Sequence, residues 1–162
     1  MYVFGTRSRE QLNTCHQDLV RIMELAIKIT NVDFGIHQGA RTIEQQQEYY
    51  NNGKSKINPK KYESKEALAE VAKHIVLPEV HIYSKSRALD LHVAEKYNGK
   101  RLTWDDNHLC YLAGTIIACA DMLYKTGQVS HLIRWGGDWN MNGVIALDHK
   151  LKDFPHFELI KP

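Results

Sequence analysis

His81-Ile82-Tyr83-Ser84-Lys85-Ser86-Arg87-Ala88-Leu89-Asp90 is a polar approach that runs into Ala88-Leu89-Asp90-Leu91-His92, and Asp153-Phe154-Pro155-His156-Phe157-Glu158-Leu159-Ile160 brackets an imidazole with apolar residues near the far end. Both places read as strands. Taken together they offer two histidines and a carboxylate, His81, Asp90 and His156, with a second carboxylate, Asp153, three residues before the last histidine. Those are the parts of a catalytic zinc site: three protein ligands, an open fourth position and a base beside it. Neither segment is specific alone, because a His or Asp on a strand is more often structural.

Outward from these segments the pattern is mixed. Leu12, Cys15, Leu19, Ile22, Met23, Ala26 and Ile29 recur at three- and four-residue steps, which predicts one helix over about 9–29 with Ser8 as its cap and Gln11 completing a capping box. Residues 32–39 alternate like a strand and end at Gly39 and Arg41, and Thr42 opens a polar helix that stops at Asn52-Gly53. Residues 53–64 carry Lys54, Lys56, Lys60 and Lys61 around Pro59 and read as a solvated basic loop; Ser64 then caps a short helix. After a turn at Asn98-Gly99, Leu109, Leu112, Ile116, Ala120 and Leu123 mark a second large core helix over about 105–125. His131 to Trp135 reads as a strand and Gly136 to Gly143 as a turn-rich loop in which Trp135 and Trp139 serve as anchors of core and loop. Helices at the start and middle, with strands around the two chemical segments, predict an α+β fold with a small, largely antiparallel sheet.

The chain has 162 residues, enough for one domain spanning 1–162, and a domain of this size buries about 68 to 70% of its unfolded surface. Twenty-one Lys and Arg against nineteen Asp and Glu leave a formal charge of +2, too mild to imply nucleic acid, and no basic recognition helix is evident. Cys15, Cys110 and Cys119 are odd in number and set among apolar residues, which fits reduced core thiols and folding in a cytosol. No stretch approaches the roughly 18 apolar residues of a membrane span, and the N-terminus lacks the pattern of a signal peptide. A monomer is expected.

The residues resemble the LAS-type zinc peptidases, which include D-alanyl-D-alanine dipeptidases, and especially single-domain phage endolysins that cleave L-alanyl-D-glutamate bonds. Four stretches carry the resemblance: Gln38 to Thr42, Ser84 to Leu91, Arg134 to Asn140, and Asp153 to Leu159. It implies a hedgehog/DD-peptidase-like fold, a Zn2+ cofactor, peptidoglycan stem peptides as substrate, and a protein held in the host cytoplasm until released to the wall. It places the zinc carboxylate on Asp90, the last zinc histidine on His156, the catalytic carboxylate on Asp153 and the arginine facing the substrate carbonyl on Arg41.

One departure stands out. The family pattern reads Ser-x-His-x-x-Gly-x-Ala-x-Asp, and counting back from Asp90 puts Tyr83 at the histidine and Ser86 at the glycine. His81 can then be the first ligand if the chain between it and Asp90 bulges by two residues. The alternatives are that Tyr83 fills the site and metal is lost, leaving a wall-binding relative without activity, or that His74 or His92 substitutes. Ser84 either binds substrate or caps its own loop.

Overall fold

The computed structural model describes residues 1–162. In chain order the elements are α1 (Thr6–Leu12), α2 (Gln17–Ile29), β1 (Phe34–Gln38), α3 (Ile43–Asn51), α4 (Lys65–Val71), β2 (Ala88–Val93), β3 (Lys96–Tyr97), β4 (Lys100–Arg101), α5 (Asp106–Lys125), β5 (Leu132–Trp135) and β6 (His156–Ile160). Single 3-10 turns occupy Pro59–Lys61 and His81–Tyr83. The main sheet is antiparallel throughout, in the order β1-β2-β6-β5, so the expected α+β architecture is present. A separate hairpin of β3 and β4 turns at Asn98-Gly99, where both residues have positive φ, the signature of a tight two-residue hairpin turn.

The single helix expected over 9–29 is two helices. Its apolar periodicity is real, but the backbone breaks at Asn13 to His16, where Cys15 makes a parallel bridge to Ser86 and the His16 amide donates to the Ser86 carbonyl at 2.7 Å. His16 then caps α2, its Nδ1 accepting from the Asp18 amide. Ser8 and Gln11 do not form a capping box either. Ser8 Oγ accepts from the Ile36 amide at 3.1 Å and Gln11 Oε1 from the Gly39 amide at 3.0 Å, so both side chains fasten α1 to the end of β1. The capping box that does form belongs to α3, between Thr42 and Gln45.

The sheet has two different faces. Leu89, Leu91 and Val93 of β2, with Phe157 and Leu159 of β6, point into the principal core with Leu19, Ile22 and Met23 of α2 and Leu109, Leu112 and Ile116 of α5. Alternation along the strands sends Asp90, His156, Glu158 and Arg134 the other way, since Asp90 pairs with His156 and Glu158 with Arg134. An irregularity between Ile36 and Gln38 places Gln38 opposite Asp90 on this same polar face. A smaller apolar cluster of Leu68, Ala72, Ile75, Leu77 and Tyr83 lies under the segment that follows α4.

The cysteines are free thiols, with Cys15 and Cys119 buried. Burial pushes the Cys15 thiol up to about 12, so it stays protonated at neutral pH and inert as a nucleophile. Native protein is accordingly expected to leave Cys15 unmodified by iodoacetamide under conditions that label it fully once the chain is unfolded, as read by peptide mass spectrometry.

Candidate active site

Asp90 and His156 reach the polar face through strand pairing, and His74 joins them from the segment after α4. His74 is placed by main chain: the Arg41 amide donates to the His74 carbonyl at 2.8 Å and the Val76 amide to the Arg41 carbonyl at 3.3 Å. Three atoms then converge. His156 Nδ1 lies 3.0 Å and His74 Nε2 3.3 Å from Asp90 Oδ1, and the two nitrogens are 3.4 Å apart. Ligands around a tetrahedral zinc at about 2.0 to 2.1 Å stand roughly 3.3 Å from one another, so this triangle fits the ion.

The outer hydrogen bonds give each ring the matching tautomer. His74 Nδ1 faces the Gly39 carbonyl at 2.7 Å and His156 Nε2 faces Glu158 Oε2 at 3.3 Å, so each ring, once neutral, would donate outward and turn its other nitrogen's lone pair inward, as a metal ligand requires. Burial alone would raise the Asp90 carboxyl, but His74 and His156 hold it well below the usual range. Burial would lower His156, yet its bonds to Asp90 and Glu158 push it up to about 10. The pocket thus favours positive charge at its centre, whether carried by protons or by a cation.

Glu158 is itself buried and fastened to Arg134, whose Nε donates to it at 2.9 Å. Its role is to hold His156. Glu158→Gln, which keeps the shape and weakens that hold, is expected to reduce metal affinity about 10- to 100-fold at neutral pH, measured by competition with a chromophoric chelator. An unchanged affinity would show that β6 alone orients the ring.

Asp153 faces the same cleft, and its carboxyl is raised by burial and by the charge of Asp90. Its position depends on Gly136: the Asp153 amide donates to the Gly136 carbonyl at 3.0 Å, and a Cβ on Gly136 would come within 2.2 Å of the Asp153 carbonyl oxygen. Arg41 is buried, with Nη1 and Nη2 donating to Gln46 and Gln38 at 2.7 Å each, its guanidinium 4.4 Å above the Tyr49 ring and Nη2 3.8 Å from Asp90. Its Nε has no partner.

The structure brings together four of the six expected residues, Arg41, Asp90, Asp153 and His156, and leaves out two. His81 lies exposed in a 3-10 turn, and it is His74 that completes the donor triangle. No two-residue bulge carries His81 inward. Instead eleven residues, 75–85, separate His74 from Ser86, where the pattern has two, and they loop out and return, closed by the Arg87 amide donating to the Lys73 carbonyl at 2.8 Å. Tyr83 packs inside that loop with its hydroxyl on Glu70, and Ser86, buried at the glycine position, bonds the Ala88 carbonyl. Ser84 caps the loop through the His81 carbonyl at 2.8 Å. His92 lies outside the triangle, against His37 and Trp104.

Trp139, expected as a loop anchor rather than a substrate platform, lines the cleft with its ring 5.4 Å from that of His156, while Trp135 is the core anchor. Lys54 and Lys56 of the basic loop line the cleft as well, where a purely solvated loop was expected. Neither placement has a local signal in the sequence.

Two imidazoles and a carboxylate facing a second carboxylic acid and an arginine form a donor set that could hold a metal ion beside an acid–base group. The chain belongs to the phage L-alanyl-D-glutamate peptidase family, whose model matches residues 1–160. Among solved structures it is similar to the L-Ala D-Glu endopeptidase ChiX of Serratia marcescens, at 22% identity and a TM-score of 0.63, over 99% of this chain and 92% of that one. A search of curated proteins gives no match.

Proposed function

We propose that this chain is a zinc-dependent endolysin that hydrolyses the L-alanyl-D-glutamate bond of peptidoglycan stem peptides. The observation that carries the reading is the triangle of His74 Nε2, Asp90 Oδ1 and His156 Nδ1 at 3.0 to 3.4 Å beside Asp153. A zinc ion held there supplies Lewis acidity, lowering the pKa of a water and polarising the scissile carbonyl. The remaining work falls to the chain. Asp153, raised by its surroundings, takes the water's proton and returns it to the leaving amine. Arg41, stacked and hydrogen bonded in place, offers a fixed cation to the oxyanion that develops on the carbonyl. The cleft of about 460 Å3 is large enough for a short peptide, and Lys54 and Lys56 complement the carboxylates of a stem peptide. Ser84 is left with a structural role. The chain acts as a monomer and works on the wall after release from the host cytoplasm.

Digestion of purified sacculi followed by mass spectrometry tests the bond: new amino-terminal glutamate on the released stem fragments is expected, and fragments cut only elsewhere would overturn the assignment. Removing metal with excess chelator is expected to stop hydrolysis while circular dichroism stays native, because the apolar core is built on the opposite face of the sheet. Full activity in the stripped protein would sink the zinc mechanism.

A further inference from the structure

A second cluster of metal-binding character lies outside the cleft. His16 at the cap of α2, Asp18 in its first turn and His131 at the approach to β5 each offer one ligand atom, all within 4.8 Å of one another. Asp18 is buried, while both imidazoles are half-exposed, so the cluster opens toward solvent on one side. The carboxylate is held rigidly. Its Oδ2 accepts from the Ser130 amide at 2.9 Å, the His131 amide at 3.2 Å and the Ser130 hydroxyl at 3.1 Å, while Oδ1 has no protein donor. His131 Nδ1 shares a proton with the same Oδ2 at 2.8 Å, and the two imidazole rings meet edge to face at 4.9 Å. Two imidazoles and one carboxylate, with room for water, form a donor set that suits zinc and its transition-metal neighbours rather than calcium or magnesium.

We propose that His16, Asp18 and His131 form a second site for a divalent transition metal, independent of the cleft. The ion takes the place of the proton between His131 and Asp18; that proton moves to His131 Nε2, so the ring stays neutral. His16 turns its lone pair from the Asp18 amide to the ion, exchanging a cap for a metal bond, and the Ser130 and His131 amides remain on Asp18 as outer support. The consequence is structural. An ion here ties the start of α2 to the approach to β5, and through the His16 amide to Ser86, two residues before β2.

The test is zinc titration of chelator-stripped protein by calorimetry. The wild-type chain is expected to bind two ions, and the paired variant His16→Asn with His131→Gln only one, with Asn preserving an acceptor at the cap and Gln a donor to Asp18. His74→Ala is expected to lose the other ion and keep this one, which separates the inference from the proposed function. A wild-type stoichiometry of one that His74→Ala abolishes, or a stoichiometry the paired variant leaves unchanged, overturns the second site. The wild-type protein provides a reading free of folding effects: the ring signals of His16 and His131 in nitrogen-edited NMR are expected to shift with an added equivalent that leaves His74 and His156 unmoved. Rings unmoved at zinc saturation overturn the site as well.

Discussion

Asp153→Asn is expected to lower the rate of stem-peptide hydrolysis by at least about 100-fold, the usual scale for a general acid or base, while fold and metal content stay near wild type. The separation follows from how the residue is held. The bonds that place it are main chain, from its amide to Gly136 and from the His156 amide to its carbonyl, and the substitution leaves both intact. What is lost is a carboxylate whose affinity for a proton is raised by burial and by Asp90. An amide cannot take up and return that proton. Initial rates on sacculi, with zinc measured on the same preparations, check the expectation, and an undiminished rate would remove Asp153 from the chemistry.

His74→Ala is expected to reduce zinc affinity by more than about 100-fold, whereas His81→Ala leaves it unchanged. Loss of an outer hydrogen bond to a metal ligand costs about 10- to 100-fold, so loss of one of three protein ligands should exceed the upper end of that range. His81 contributes its backbone carbonyl to Ser84 and nothing to the triangle. Tyr83→His is expected to add no affinity, because Tyr83 is buried in the small cluster with its hydroxyl turned to Glu70. Zinc still held in the cleft of His74→Ala as in wild type, or lost from it in His81→Ala, would reverse the assignment.

Much of the fold was legible in the residues. The apolar spacing of α2 and α5, the Asn98-Gly99 turn and the alternation around Asp90 and His156 are local signals, and local backbone geometry carries them into the structure. Asp90, Asp153, His156 and Arg41, the residues singled out by the resemblance, line one cleft. Two things were not local. The break between α1 and α2 is decided by Ser86, some seventy residues away, which takes the His16 amide where a continuous helix would have used it internally. Which histidine meets Asp90 and His156 is decided the same way. Counting along the chain assigns a ligand by contour distance, and a loop over residues 75–85 makes that distance misleading: Lys73 and Arg87 meet across its base, so His74 stands where the unbroken motif would have put Tyr83. Sequence determines which side chains can bind a metal; which of them meet is determined by chain closure, and here that rests on main-chain bonds between residues 41, 73, 74 and 87.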